Sequence, residues 1–360
     1  MHIDKRSTPQ SGSVDELETP VPVVDLDRLE ANITRLQTYL DEHNIANRPH
    51  IKTHKIPEIA KMQMDAGAVG LTCQKVSEAE VMADAGFDDI FIPYNIIGEK
   101  KLRRLMSLAA RATISVTADS AFTVHGLSRA AQESGLRLTV LIEFDTGLKR
   151  CGVQFPQEAA DLARLIESLP NLHFGGLMAF PANEHLDPFV HETRALLKDD
   201  GLQIERVTGG GTPGLWQAHT HSELTEYRAG IYVYGDRLSL RSGAVTLDTC
   251  SLKIHATVIS RPSTDRGVLD AGSKTLSSDL HDLDGYGYIC EYPEAKINAL
   301  SEEHGHVDFS ACARKPEIGE RVSIIPNHCC MVTSLFDEFI GARANQVEVT
   351  WRVAARSAVT

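Results

Sequence analysis

The chain has 360 residues, 42% hydrophobic and 24% charged, with 26 Gly and 15 Pro, the composition of a globular chain with a large core and not of a disordered, fibrous or coiled-coil one. Its net charge of −13 excludes a general attraction to phosphate backbones or anionic membranes, so neither nucleic acid nor membrane is expected as a partner. No apolar run is long enough to span a bilayer and the opening MHIDKRSTPQSGSVDELE has no apolar signal core, which predicts a cytoplasmic protein.

Residues 1–18 are polar and without period, and are expected to form a flexible arm. From Thr19 the text alternates short β-branched runs with amphipathic helical stretches, the pattern of a parallel sheet with crossover helices. VPVVDL (21–26) comes first, followed by a helix in which Leu29, Ile33, Leu36 and Leu40 repeat at helical spacing. Eight more strands are predicted at 48–52, 68–72, 89–93, 112–116, 138–144, 173–180, 204–210 and 230–235, most of them separated by helices. This is the arithmetic of an α/β fold of the (β/α)8 TIM-barrel type, assigned to 19–240, with an open doubly wound sheet as the alternative. After about residue 240 strands and turns replace helices, which predicts a C-terminal all-β domain over 241–360, joined in one version by the 19–26 strand. Seven cysteines, an odd number scattered along the chain, do not read as a disulfide framework.

Three segments point to chemistry. Arg48-Pro-His-Ile-Lys52-Thr-His-Lys55 crowds cations at the end of the first predicted barrel strand, where barrels place their active sites. Crowding lowers a lysine's pKa and makes it a usable nucleophile; a solvated basic loop is the plain alternative. Thr208-Gly-Gly-Gly-Thr212 follows the seventh predicted strand, and glycines there let backbone N–H groups approach a phosphate. On an extended strand, His328 and Cys330 of Pro326-Asn-His-Cys-Cys330 share one face and can grip one ion, with Cys329 facing away. Two protein ligands leave a catalytic metal open positions.

TPVPVVDLDRLEANI with RPHIKTHK, the run from Phe144 to Gly152, the Gly-Gly-Gly segment and the PNH-x-C segment together resemble the D-threonine aldolase and D-serine dehydratase branch of the fold-type III pyridoxal phosphate enzymes, whose barrel is alanine racemase-like. The resemblance implies that Lys52 holds pyridoxal 5'-phosphate as a Schiff base and that Arg150 hydrogen-bonds the cofactor's phenolic oxygen. It implies that Gly209, Gly210, Gly211 and Thr212 cradle the phosphate with Tyr232 and Tyr234 nearby, and that His328 and Cys330 bind a divalent metal (Zn, Mn or Mg). Ser301-Glu-Glu-His304 matches a further family segment, so His304 is a catalytic candidate beside His54; His185 is another candidate for proton transfer. Asp270-Ala-Gly-Ser-Lys274 also matches, as a structural turn or as a cofactor or interface element.

The activity so implied is retro-aldol cleavage of a D-3-hydroxy amino acid to glycine and an aldehyde. The alternative is dehydration of D-serine or D-3-hydroxyaspartate to a 2-keto acid and ammonia. EYRAGIYVYGD and VLDAGSKTLSSD look aldolase-like, whereas a thiolate ligand favours zinc and the dehydratase branch. A non-catalytic cofactor carrier lacks the second domain, and an alanine racemase needs no metal. A homodimer is implied as well.

Overall fold

The computed structural model describes residues 12–360, so the first eleven residues of the expected arm lie outside the described residues. The chain forms two compact units, one of residues 34–230 with 357–360, the other of 12–33 with 231–356.

The first unit is the barrel. Its strands are β1 (Ala46–Asn47), β2 (Leu71–Thr72), β3 (Asp89–Asn95), β4 (Thr113–Ala118), β5 (Leu138–Phe144), β6 (Leu172–Ala179), β7 (Arg206–Gly210) and β8 (Glu226–Arg228), all parallel, in the order β1-β8-β7-β6-β5-β4-β3-β2. The remaining edge closes through a parallel bridge between His50 and Thr72 and through Val69 N–H to Asn47 O (2.9 Å) and Thr72 N–H to Pro49 O (2.9 Å). Crossover helices include α1 (Leu26–Glu42), α2 (Pro57–Asp65), α3 (Val76–Asp84), α4 (Glu99–Ala109), α5 (Ala121–Ser134), α6 (Pro156–Ser168) and α7 (Leu186–Leu197). Leu29, Ile33, Leu36 and Leu40 are all buried, so the periodicity marks the inner face of α1. Inside the barrel Phe91, Leu141 and Met178 pack together. Toward the amino ends of the strands lies an ionic layer, with Arg48 bonded to Glu226 (2.7 Å) and Asp89 (2.6 Å), and Thr208 donating to Glu226 (2.7 Å). Buried charges are tolerable here because each has a partner.

Two strands differ from expectation. RPHIK (48–52) yields only the short β1 before it, and Lys52 lies in a 3-10 turn, Ile51–Thr53. GIYVYG (230–235) is not a strand; the eighth strand ends at Arg228 and Ile231–Val233 is a 3-10 turn. A Cβ at Gly230 would stand 2.5 Å from Thr53 Oγ1 and 2.9 Å from His50 O, a close approach that only glycine allows at this turn.

The second unit is dominated by one extended sheet. Along it run Gly12–Ser13, Gln346–Arg352, Glu338–Arg343, Val21–Asp25, Leu252–Ser260, Arg266–Leu269, Gly305–Asp308 and Lys296–Leu300, and Arg321–Ile325 also pairs with Leu252–Ser260. Val21–Asp25 therefore belongs to this sheet, antiparallel to Leu252–Ser260 and parallel to Glu338–Arg343. The described part of the expected arm is ordered: Gly12 and Ser13 pair with Val347 and Gln346, and Val14 is buried with Val23, Ile340 and Ala342. The last residues, Ser357–Thr360, pack with the barrel unit, where Ser77 N–H donates to Thr360 O (2.9 Å).

Candidate active site

The carboxyl ends of the barrel strands carry the first group of predicted residues. His50 caps the turn that holds Lys52, its Nδ1 accepting the Lys52 N–H (3.4 Å) while Nε2 meets Gln74 Oε1 (3.0 Å). Burial, then the charges of Lys52 and Arg228, hold the His50 pKa well below the usual imidazole range. Lys52 Nζ lies 5.8 Å from the centroid of the Phe180 ring, and Arg150 Cζ lies 4.9 Å from the same centroid. The fold thus brings together an amine and a guanidinium that are 98 positions apart in sequence. The crowding of cations read from the sequence is largely compensated: Arg48 is paired as above, and Lys55 is buried against Glu78 (2.6 Å). His54 is fully buried; Ile56 N–H donates to its Nδ1 (3.1 Å) and its Nε2 meets Gln63 Oε1 (3.2 Å). Burial lowers its pKa to about 4, so both ring nitrogens serve packing within its own loop and α2.

The segment carrying Arg150 is a rigid loop. Asp145 Oδ1 accepts the N–H groups of Gly147 (3.0 Å) and Lys149 (3.1 Å), and Gly152 N–H donates to Asp119 Oδ2 (3.1 Å). Gly152 has φ +108°, and a Cβ there would lie 2.6 Å from the Phe144 and Asp145 backbone, so glycine is required. In the Gly-Gly-Gly segment the three positions divide. Cβ atoms at Gly209 and Gly210 would meet Leu224 Cδ1 (2.7 Å) and Arg228 O (2.9 Å), whereas Gly211 has φ +116°. The first two are small because the barrel is tightly packed, and the third because of its backbone. Thr212 is buried beside them.

An amine, a guanidinium and a glycine turn at one barrel end are the groups an aldehyde, a phenolic oxygen and a phosphate call for. Two buried polar atoms at this same end, Asn95 Oδ1 on β3 and Thr117 Oγ1 on β4, have no hydrogen-bond partner among the described residues, as expected where a polar ligand completes the site. These residues fit pyridoxal phosphate.

The second unit holds the rest. His328 is not on an extended strand: it is the residue before a short helix, Cys329–Thr333, so the alternation argument for His328 and Cys330 does not apply. Cys329 does not face away either. It is buried, its N–H donates to Asp236 Oδ2 (3.1 Å), and its thiol neighbours Cys330 and Asp236, which with burial push its pKa well up. His328 Nδ1 bonds the same carboxylate oxygen (3.0 Å). Burial opposes protonation of His328, but Asp236 and Cys330 outweigh it and raise the pKa to about 10. Asp236 in turn accepts from Ser239 N–H (2.8 Å) and Ser239 Oγ (2.7 Å). An imidazole oriented by a carboxylate and contacting a thiol is a nitrogen and sulfur donor set that suits zinc. Among the described residues no three or more His, Cys, Asp or Glu side chains are grouped to hold a metal ion.

Tyr232 and Tyr234 also lie in this unit, both buried; Tyr234 stacks on Phe339 at 5.7 Å, and burial, then Cys329 and Cys330, raise its pKa. His304 is exposed at a strand connection in which Lys274 pairs with Glu302 (2.9 Å) and Glu303 (2.7 Å). In the barrel unit, His185 is exposed just ahead of α7.

Three residues escaped the sequence reading. Arg228 is buried at the end of β8, where it donates to Thr208 Oγ1 (2.6 Å) and Ala179 O (3.0 Å), and burial lowers its pKa to about 10. Glu143 lies beside Arg150, and Asp236 holds His328. Only Asp236 left a signal, the Asp-x-x-Ser spacing of a helix cap at 236–239.

The barrel and this site define an alanine racemase-like enzyme. Residues 24–238 match the family "Alanine racemase, N-terminal domain", and residues 251–342 match a serine dehydratase domain. The chain belongs to this family. It is 34% identical to the D-threonine aldolase of an Arthrobacter species, covering 94% of this chain and 93% of the relative. It is 29% identical to the D-threo-3-hydroxyaspartate dehydratase of Delftia, covering 93% of this chain and 97% of that one. The structure of D-threonine aldolase from Filomicrobium marinum superimposes with a TM-score of 0.89 at 32% identity, covering 98% of this chain and 99% of that one. No helix among the described residues is long and apolar enough to cross a membrane.

Proposed function

We propose that this chain is a pyridoxal phosphate- and divalent metal-dependent D-threonine aldolase-like lyase that cleaves D-3-hydroxy amino acids to glycine and an aldehyde. The observation that carries this reading is the meeting of Lys52 and Arg150 over Phe180 in a chain 34% identical to a D-threonine aldolase over nearly its whole length. The cofactor, when bound, supplies the electron sink that makes bond cleavage at the α-carbon accessible. Lys52 is the anchoring amine, Arg150 holds the phenolic oxygen, and Gly211 with Thr212 receives the phosphate. His328 and Cys330 hold the metal, whose chemistry is to lower the pKa of a substrate hydroxyl. Asp236 fixes the His328 ring, and with a thiolate in the set zinc is the metal expected.

Dehydration is the second reading, favoured by the 29% identity to the Delftia dehydratase; a cysteine-to-alanine variant of a D-threo-3-hydroxyaspartate dehydratase is described in a metal-free form. A homodimer fits the exposed Ile97, Phe122, Leu148 and Phe155, which lie on segments following β3, β4 and β5. A cytoplasmic setting fits seven cysteines of which, among the described residues, none is in a disulfide.

The test is product analysis with purified protein, pyridoxal phosphate and a panel of divalent metals on D-threonine, D-serine and D-3-hydroxyaspartate. Glycine with an aldehyde or glyoxylate is expected. Ammonia with a 2-keto acid moves the assignment to dehydratase, and no turnover of any substrate overturns both.

A further inference from the structure

Glu143 is a buried carboxyl that the proposed chemistry does not use. It lies on the inward face of β5, two residues after the core residue Leu141, and is 4% exposed. Burying a carboxylate is unfavourable unless cations and hydrogen bonds compensate it. Two cations do so here. Arg150 Nη2 stands 3.4 Å from Glu143 Oε1, and Arg228 faces the same carboxyl from the end of β8; Asp119, from the segment after β4, is the opposing charge. Burial raises the Glu143 pKa above its ordinary value, and the two arginines offset only part of that rise.

The backbone of Glu143 acts on the same loop. Val153 N–H donates to Glu143 O (2.9 Å) and Asp145 N–H donates to Val153 O (3.1 Å), so the segment carrying Arg150 leaves and returns at Glu143. The ends of the Arg150 loop are therefore joined at the Glu143 backbone and the Arg150 tip meets the Glu143 side chain, while its guanidinium lies against Phe180, the same ring that Lys52 approaches.

We propose that Glu143 is a positioning residue that holds Arg150 toward the cofactor's phenolic oxygen and, as the fixed negative charge beside it, sets the proton affinity of the Lys52–cofactor linkage. This rests on the pyridoxal phosphate reading above. The sign follows from electrostatics. Deprotonating the linkage leaves one more negative charge on the cofactor, and a neighbouring carboxylate disfavours that state. Removing the carboxylate's charge makes proton loss easier.

The experiment is a pH titration of the cofactor absorbance in the loaded wild-type enzyme and in Glu143→Gln, Glu143→Asp and Arg150→Lys variants, with cofactor content measured for each. Glu143→Gln is expected to keep bound cofactor and to lower the midpoint by about one pH unit, the scale of one charge at this range in a partly screened site. Glu143→Asp, which keeps the charge, should stay within about 0.3 unit of wild type. Adding Glu143→Gln to Arg150→Lys should shift the midpoint by less than half as much as in wild type, because the two residues act as a pair. An unchanged or raised midpoint in Glu143→Gln overturns the proposal, as does a Glu143→Asp midpoint matching Glu143→Gln. Should Glu143→Gln fail to fold, Glu143→Ala replaces it in the same titrations, with the same lowered midpoint expected and an unchanged or raised midpoint overturning the proposal. A wild-type protein that never develops cofactor absorbance refutes the pyridoxal phosphate reading instead, which separates the two failures.

Discussion

The barrel unit and the sheet unit place their polar groups by different rules. In a parallel barrel, strand direction and inward alternation bring the carboxyl ends of all strands to one rim. Lys52 after β1, Arg150 after β5 and Gly211 after β7 therefore share that rim, whatever their separation in sequence. In the sheet unit no such rule operates. His328 and Cys330 owe their relation to a short helix starting at Cys329 and to one carboxylate, Asp236, reaching across 92 positions. Geometry imposed by a fold is robust and readable; geometry built from a cap and a turn is neither.

Substitutions in the two units should therefore differ in kind, and the largest expected effect is in the barrel. Lys52→Ala is expected to remove the cofactor absorbance and lower turnover by more than about 10,000-fold; an intact absorbance band rejects Lys52 as the anchor. In the sheet unit, His328→Ala and Cys330→Ala should keep that band, lose metal by elemental analysis, and lower turnover by about 1,000-fold. Unchanged metal content and turnover in both variants would remove the metal from the reaction.

Smaller effects sharpen the contrast through stability. His54 titrates at about 4 when folded against roughly 6.5 when unfolded. The unfolded chain thus binds more protons between these values, and stability falls as pH drops from 6.5 toward 4. Over that window His54 accounts for about 3 kcal/mol, and His54→Gln should flatten the urea-midpoint profile in proportion. A profile identical to wild type would show that the ring is not held neutral. Cys329→Ser should cost about 1 kcal/mol by the same assay, since the thiol is buried in a packed helix. No change in midpoint would mean that Cys329 faces outward after all.

What could be read from the sequence follows the same division. LTVLIEF (138–144) is β5 residue for residue, because a buried parallel strand is an apolar run. The eighth strand is misplaced because the true one, Glu226–Arg228, is charged. Glu226 and Arg228 point into the barrel and are satisfied by Arg48, Thr208 and Ala179, partners that no local pattern announces. Glu338–Arg343 gives only a weak strand pattern for a related reason: it carries Gly341, whose Cβ would stand 2.6 Å from Val349 Cγ1, and glycine weakens a strand signal. Arg150 and Lys52 are found through motifs; Glu143 and Asp236 are not, since each acts only by touching another side chain, seven positions on for Glu143 and 92 for Asp236.

The placement of Val21–Asp25 also orders events during synthesis. Pro22 pairs with Ile254, so this strand emerges from the ribosome 232 residues before its antiparallel partner. At roughly 5–20 residues per second it waits about 10 to 50 seconds, while residues 34–230 of the barrel unit are synthesised. A waiting strand is a template for pairing with other chains. The proline at position 22, which has no N–H to offer and lies just outside the parallel pairing that starts at Val23, blunts that hazard at its source. The nascent chain thus carries its own protection against aggregation in a segment that waits long for its partner.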